Sequence, residues 1–159
     1  MRVQGHGIRE RQVLGPPEPQ AQAGLRMVEL RRYRCFACGA VTTVTPAEVL
    51  TRRLYGAGAI VWALALFGLS ALSPQAVRSA VSPWRVVGAA TADRWSTLAR
   101  WCAAARAGQL WSCTPAVPRD WPPRRAAARL AAAISAYALP SPEPPALPSL
   151  AFHGALHAR

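Results

Sequence analysis

Polar and apolar positions alternate along the first part of the chain, and from about Thr45 the apolar residues recur instead at three- and four-residue steps. Alternation belongs to strands, whose side chains point to opposite faces in turn, and the later spacing belongs to helices. Two strands are expected in RVQGHGIRERQVL and LRMVELRRYRC, joined by GPPEPQAQAG, where Gly15-Pro16-Pro17 and Gly24 require a loop rather than a two-residue turn. A third strand is expected in AVTTV, which is rich in β-branched residues.

The helical part offers several start signals. Thr45-Pro46-Ala47-Glu48 has the form of a capping box. Ser73-Pro74 predicts another start, with the hydroxyl as cap and proline at the first helical position. A third helix is expected from about Thr91 to Ala107, where Trp95, Leu98, Cys102 and Ala105 repeat along one side and Gly108 follows as a stop. A fourth, PPRRAAARLAAAISAYAL, places Ala126, Leu130, Ile134 and Tyr137 on one side and Arg124, Arg125 and Arg129 around its first turns. Arginine there opposes the helix dipole, so these charges belong to a solvated face or to a partner. The closing PSPEPPALPSLAFHGALHAR is dense in proline and is expected to be an extended, disordered tail. The fold class is α+β: a small β module over residues 1–46, helices over 47–110, an additional Arg/Ala-rich helix within 111–139, and the tail over 140–159.

No residue between Arg53 and Arg78 carries a charge, and GAGAIVWALALFGLSAL competes as a membrane span. A span needs roughly 20 mostly apolar residues. The strongly apolar part, Ala57 to Leu72, is shorter, contains glycine, and is followed by Pro74. A helix buried at the centre of a small bundle accounts for the same run. The alternative is a single-pass membrane protein with a basic cytoplasmic segment.

Charge changes the picture further. The formal net charge is +12 on 159 residues, and all 19 basic residues are arginine. GC-rich codons would exchange lysine for arginine, but they leave the shortage of acids unexplained. Such an excess attracts polyanions, nucleic acid ahead of an anionic membrane surface. The N-terminus has no continuous hydrophobic segment, so secretion is not supported, and a reduced cytoplasmic setting at the nucleoid is expected.

The most informative stretch is RRYRCFACGAVTTVTP, a CxxC-Gly knuckle between an arginine-rich strand and a threonine/valine strand. Taken together, HGIRERQVLG and LRMVELRRYRCFACGAVTTVTPAEVLTRRLYG resemble the zinc ribbon at the front of insertion-sequence transposases and of a bacterial family classed as a domain of unknown function. The resemblance covers residues 5 to 70 and extends weakly to 107. Cys35, Cys38 and Gly39 correspond to the family's second knuckle, Thr42 and Thr43 to the strand after it, and Arg52, Arg53 and Tyr55 to a basic turn leading into a helix-turn-helix. What this implies is a zinc-ribbon-like β module, a helix-turn-helix-like helical module, and zinc on Cys35 and Cys38. The family's first knuckle lies just upstream of the first strand and has no counterpart after Met1. The expectation is that the reading frame starts further upstream or that this copy has decayed.

Tetrahedral zinc takes four ligands, and His6 is the nearest candidate for a third, although an exposed strand histidine is the plainer reading. Cys102 falls on an apolar helical face and reads as a small hydrophobe. Cys113 is too distant from it in sequence to complete a knuckle. His153 and His157 would share a side only if the tail were helical.

Arginine suits phosphate and guanine edges. The expected DNA-binding residues are Arg31, Arg32 and Arg34 on the hairpin, Arg52 and Arg53 in the turn, and Arg78, Arg85 and Arg94 along the helices. The helix starting at Ser73 or the one starting at Thr91 would be the recognition element. The six tryptophans read as core at helical spacing, with stacking on unpaired bases as the alternative. Asp93, Asp120 and five scattered glutamates are too few in suitable positions to surround two divalent metals, and nothing orients a thiol as nucleophile. No catalysis is expected. The function expected is DNA binding, as a transposase-associated protein or a transposase remnant, with a transposase or a second copy of the chain as protein partner.

Overall fold

The computed structural model describes residues 2–84, 94–143 and 145–158. The chain is α+β. Strands β1 (Val3–Gly15), β2 (Gly24–Cys35) and β3 (Val41–Val44) form one antiparallel sheet in the order β1-β2-β3. Helices α1 (Ala57–Gly68), α2 (Pro74–Val81), α3 (Ser96–Arg106), α4 (Pro123–Ser135) and α5 (Leu147–Gly154) follow.

Helix α1 is the hub. Every residue from Ala57 to Leu66 is buried, and α2, α3, α4 and α5 all lie against it. A helix that is apolar all round has no face for water and must be enclosed, which explains the uncharged run. At 12 residues it is ~18 Å long, against ~30 Å of hydrocarbon in a bilayer. Among the described residues no helix is long and apolar enough to cross a membrane. Close approach depends on missing side chains: a Cβ at Gly68 would run into the backbone of Ala128 on α4.

Two sequence expectations are corrected. Thr45 to Glu48 starts no helix: residues 45–55 form turns, and α1 begins after Gly56. Glu48 acts elsewhere, pairing with Arg26 at 3.0 Å while its carbonyl accepts from Ala57 N at 2.8 Å. Val49, nearby, is buried with Val13 and Leu30 on the sheet. The other correction is the tail. Residues 147–154 are helical, with Pro148 in the first turn, and Ala151, Phe152, Ala155 and Ala158 are buried in the main core. The order comes from contact with α1 and α4, which composition does not show.

The start signal at Ser73 is realised, its Oγ accepting from Ala76 N at 3.2 Å. The periodicity of α4 is realised too, with Ala126, Leu130 and Ile134 buried and Tyr137 exposed. Helix α3 begins at Ser96, and the expected start at Thr91 lies outside the described residues.

Backbone hydrogen bonds join one end of the sheet to the segment that leads into α1. Leu14 N donates to Leu54 O at 2.9 Å, and Gly56 N donates to Leu14 O at 3.0 Å. The far end stands clear, with residues 2–10 and all of β3 exposed.

Candidate functional site

Besides the backbone bond at Leu54, one arginine side chain ties the turn over residues 50–55 to the sheet. Arg11 donates from Nη2 to Leu50 O at 2.9 Å and to Arg53 O at 2.7 Å. The same turn passes through Arg52 at φ +59°, left-handed backbone that costs a side chain about 1 kcal/mol or more. Arg52 and Arg53 are thereby fixed at one wall of a cleft of about 1000 Å³.

Four further arginines line that cleft: Arg78 from α2, Arg94 just before α3, and Arg100 and Arg106 from α3. No acidic residue appears among its described lining residues. The single ion pair among the described residues is Arg26–Glu48, on the sheet. Arg78 Nε is buried without a hydrogen-bond partner among the described residues. Several guanidinium groups facing one partly enclosed space concentrate a positive potential there, since low-dielectric walls focus the field.

Aromatic rings complete the walls. Tyr55, Trp95 and Trp101 meet edge to face, with centroids 5.0 to 6.0 Å apart, and all three are buried. The core reading of the tryptophans fits these two and also Trp62 and Trp111, all four of them buried. Trp121 is half-buried, with the Arg125 guanidinium 3.8 Å from its ring centroid. Trp84 departs from this pattern: it lines the cleft and is 54% exposed.

The sequence candidates therefore divide. Arg52, Arg53, Arg78 and Arg94 come together in the cleft, and Arg85 lies outside the described residues. Arg31, Arg32 and Arg34 remain on the hairpin, and the pleat separates them. Arg32 and Arg34 share the face bearing Arg26, Val28 and buried Leu30, whereas Arg31 shares the opposite face with Met27 and Glu29. Sequence reasoning missed Arg100 and Arg106. The available signal was the position of Arg106 four residues after Cys102, on the shoulder of α3's apolar stripe.

At the knuckle, Cys35 N donates to Ala40 O at 2.9 Å and Gly39 N to Cys35 O at 3.0 Å. Gly39 takes φ +71°, which closes the turn at no steric cost. Backbone N–H groups of Cys38 and Ala37, with the Cys38 thiol, stabilise the Cys35 thiolate and hold its pKa below the ordinary value. Two thiols so placed fit half of a zinc site. His6 does not join them: Val3 is the residue opposite Cys35, and His6 sits in the irregularity between Gly5 and Ile8, about 10 Å further along at strand rise. No group of three or more His, Cys, Asp or Glu forms a metal site among the described residues.

The other thiols are structural. Burial pushes Cys102 up to about 11, with Arg106 and Arg124 pulling weakly the other way. Cys113 is half-buried beside the main core, and His153 and His157 are both exposed. Comparison of the chain with protein-family models, with curated proteins and with solved structures finds no match.

Proposed function

We propose that this protein binds DNA, in the setting of a mobile element and as a transposase-associated protein or remnant, with binding rather than catalysis as its role. The observation carrying the binding part is the cleft, where six arginines from three segments converge with no acid among the described lining residues. Like charges gathered in this way repel one another, and a polyanion relieves that repulsion while releasing its own counterions. The exposed hairpin, with Arg31 and Arg34 on opposite faces, extends the basic surface beyond the cleft. The mobile-element setting rests on the resemblance of residues 5 to 70 to transposase zinc ribbons, and so does zinc, for which Cys35 and Cys38 would supply two of the four ligands.

The test is duplex binding followed by fluorescence anisotropy across a salt series. About six phosphate contacts predict a loss of affinity on the order of 10³ between about 50 and 200 mM salt. The Arg52→Ala/Arg78→Ala double variant should lower the slope of log K against log salt by about 1.8. A flat salt response in the wild type overturns the reading.

A further inference from the structure

We propose that the arginine cleft takes an unpaired stretch of nucleic acid, with a base stacked on Trp84 and the adjoining phosphates on the guanidinium groups around it. This deepens the DNA-binding reading and rests on it for the polyanion.

Size comes first. A space of about 1000 Å³ is about 12 Å across if compact, about the width of one major groove and too small to hold a whole duplex. It lies at the upper end of the ~300–1000 Å³ range of small-molecule pockets, so one or two nucleotides fit inside it, while a double helix reaches its arginines only by lying across the mouth. Chemistry comes next. The lining combines cations with aromatic rings, the two groups that an unpaired nucleotide engages: phosphate by arginine, and the π-face of the base by an indole. A simple phosphate site would not need the rings, and an apolar ligand would not need the arginines.

Trp84 is the decisive residue. Its backbone N–H donates to Ser82 Oγ at 3.4 Å, tying it to the end of α2, yet its indole is 54% exposed. A large apolar surface held open beside guanidinium groups suits a flat, polar-edged ligand better than it suits water. Ser96, Thr97 and Leu98 in the first turn of α3 also line the cleft, and no side chain among the described residues caps that helix. Its uncapped N–H groups and positive dipole end favour an anion. The partnerless Nε of Arg78 adds a donor at the wall.

Free nucleotides share this chemistry with an unpaired strand, so the experiment separates them. The full chain is titrated with a labelled blunt duplex, the same duplex carrying a single-stranded tail, a single-stranded oligothymidylate, and free thymidine monophosphate. The tailed duplex should bind about tenfold or more tightly than the blunt one, in line with stacking of one or two bases. Trp84→Ala should remove that advantage and leave blunt-duplex affinity within about twofold, while Trp84→Phe should keep most of it. Because Trp84 is exposed, circular dichroism should show both variants folded as the wild type is. Equal binding of tailed and blunt duplexes by the wild type overturns the inference and leaves DNA binding standing. An equal loss on both duplexes in Trp84→Ala also overturns it. If thymidine monophosphate binds as tightly as the strand, the cleft is a mononucleotide site and the proposal fails. Strand binding without any duplex binding would uphold the cleft and overturn the duplex reading.

Discussion

Phe152 decides whether the proline-rich end of the chain belongs to the fold. Its ring is 3% exposed, meets Trp62 edge to face with centroids 6.4 Å apart, and lies where a Cβ on Gly58 would come within 2.7 Å of it. Replacing it with alanine empties a site walled by α1, and rigid helices collapse poorly into such a void. Phenylalanine-to-alanine changes in cores cost about 3–5 kcal/mol. For a chain of this size each kcal/mol lowers Tm by about 2–4 °C, so Phe152→Ala should melt about 6–20 °C below the wild type. The assay is far-ultraviolet circular dichroism on heating, together with urea unfolding followed by tryptophan emission, where the midpoint should fall with the slope unchanged. Removing residues 140–158 should cost at least as much, because it uncovers the same face of α1. A Tm within about 2 °C of the wild type for Phe152→Ala would refute docking and return this segment to the extended tail its composition suggests.

Arg11→Ala should lower stability by about 1–3 kcal/mol in urea unfolding, because two carbonyls lose a charged donor; Arg11→Lys should recover only part of this, since an ammonium lacks the planar fork. Cys35 should be alkylated well before Cys102 as pH rises through neutrality, because its thiolate is stabilised while that of Cys102 is suppressed by burial; mass spectrometry of the native protein reads the order, and equal labelling refutes it. The stability Cys102 contributes as a neutral thiol is fully present below pH 9 and lost as pH rises to about 11, a loss of about 2–3 kcal/mol. The alkaline decline in Tm should therefore be shallower in Cys102→Ala, and an identical decline in both proteins would count against it.

Much of the fold was legible because local physics fixed it. Strand alternation and the β-branched run at Val41 to Val44 reappear in the sheet, and the Ser73-Pro74 start works through its own hydroxyl. Misreadings arose where a distant partner captured a residue. Glu48 matched a capping box, but Arg26 on β2 holds its carboxylate, and the helix waits for Gly56. The buried residues of α5 and the turn after it include Ala151, Gly154, Ala155 and Ala158 with one large ring; such small residues give little hydrophobic contrast, and proline density dominated the reading. For the site, the sequence supplied single arginines scattered over residues 31 to 94. Which of them meet depends on how α2 and α3 settle around α1, and that depends on packing between residues far apart in the chain.

The arginines themselves fall into two groups that composition cannot separate. Arg11, Arg106 and Arg124 donate to backbone carbonyls at the ends of turns and helices, Arg124 reaching both Phe67 O and Leu72 O just beyond α1 while its guanidinium lies over the Phe67 ring. Arg124 thereby places a cation at the C-terminal end of α1, whose last turn has no basic residue of its own. Arg52, Arg53, Arg78 and Arg94 have no such carbonyl among the described residues, and they share the cleft with Arg100 and with Arg106, which belongs to both groups. A codon bias toward arginine would populate both groups without distinction, so bias accounts for the residue type and leaves the convergence unexplained. Convergence of cations on an open indole is costly for the protein alone, because repulsion and exposed apolar surface both oppose it. An anionic, flat-faced ligand of the kind proposed for the cleft would reverse both terms at once.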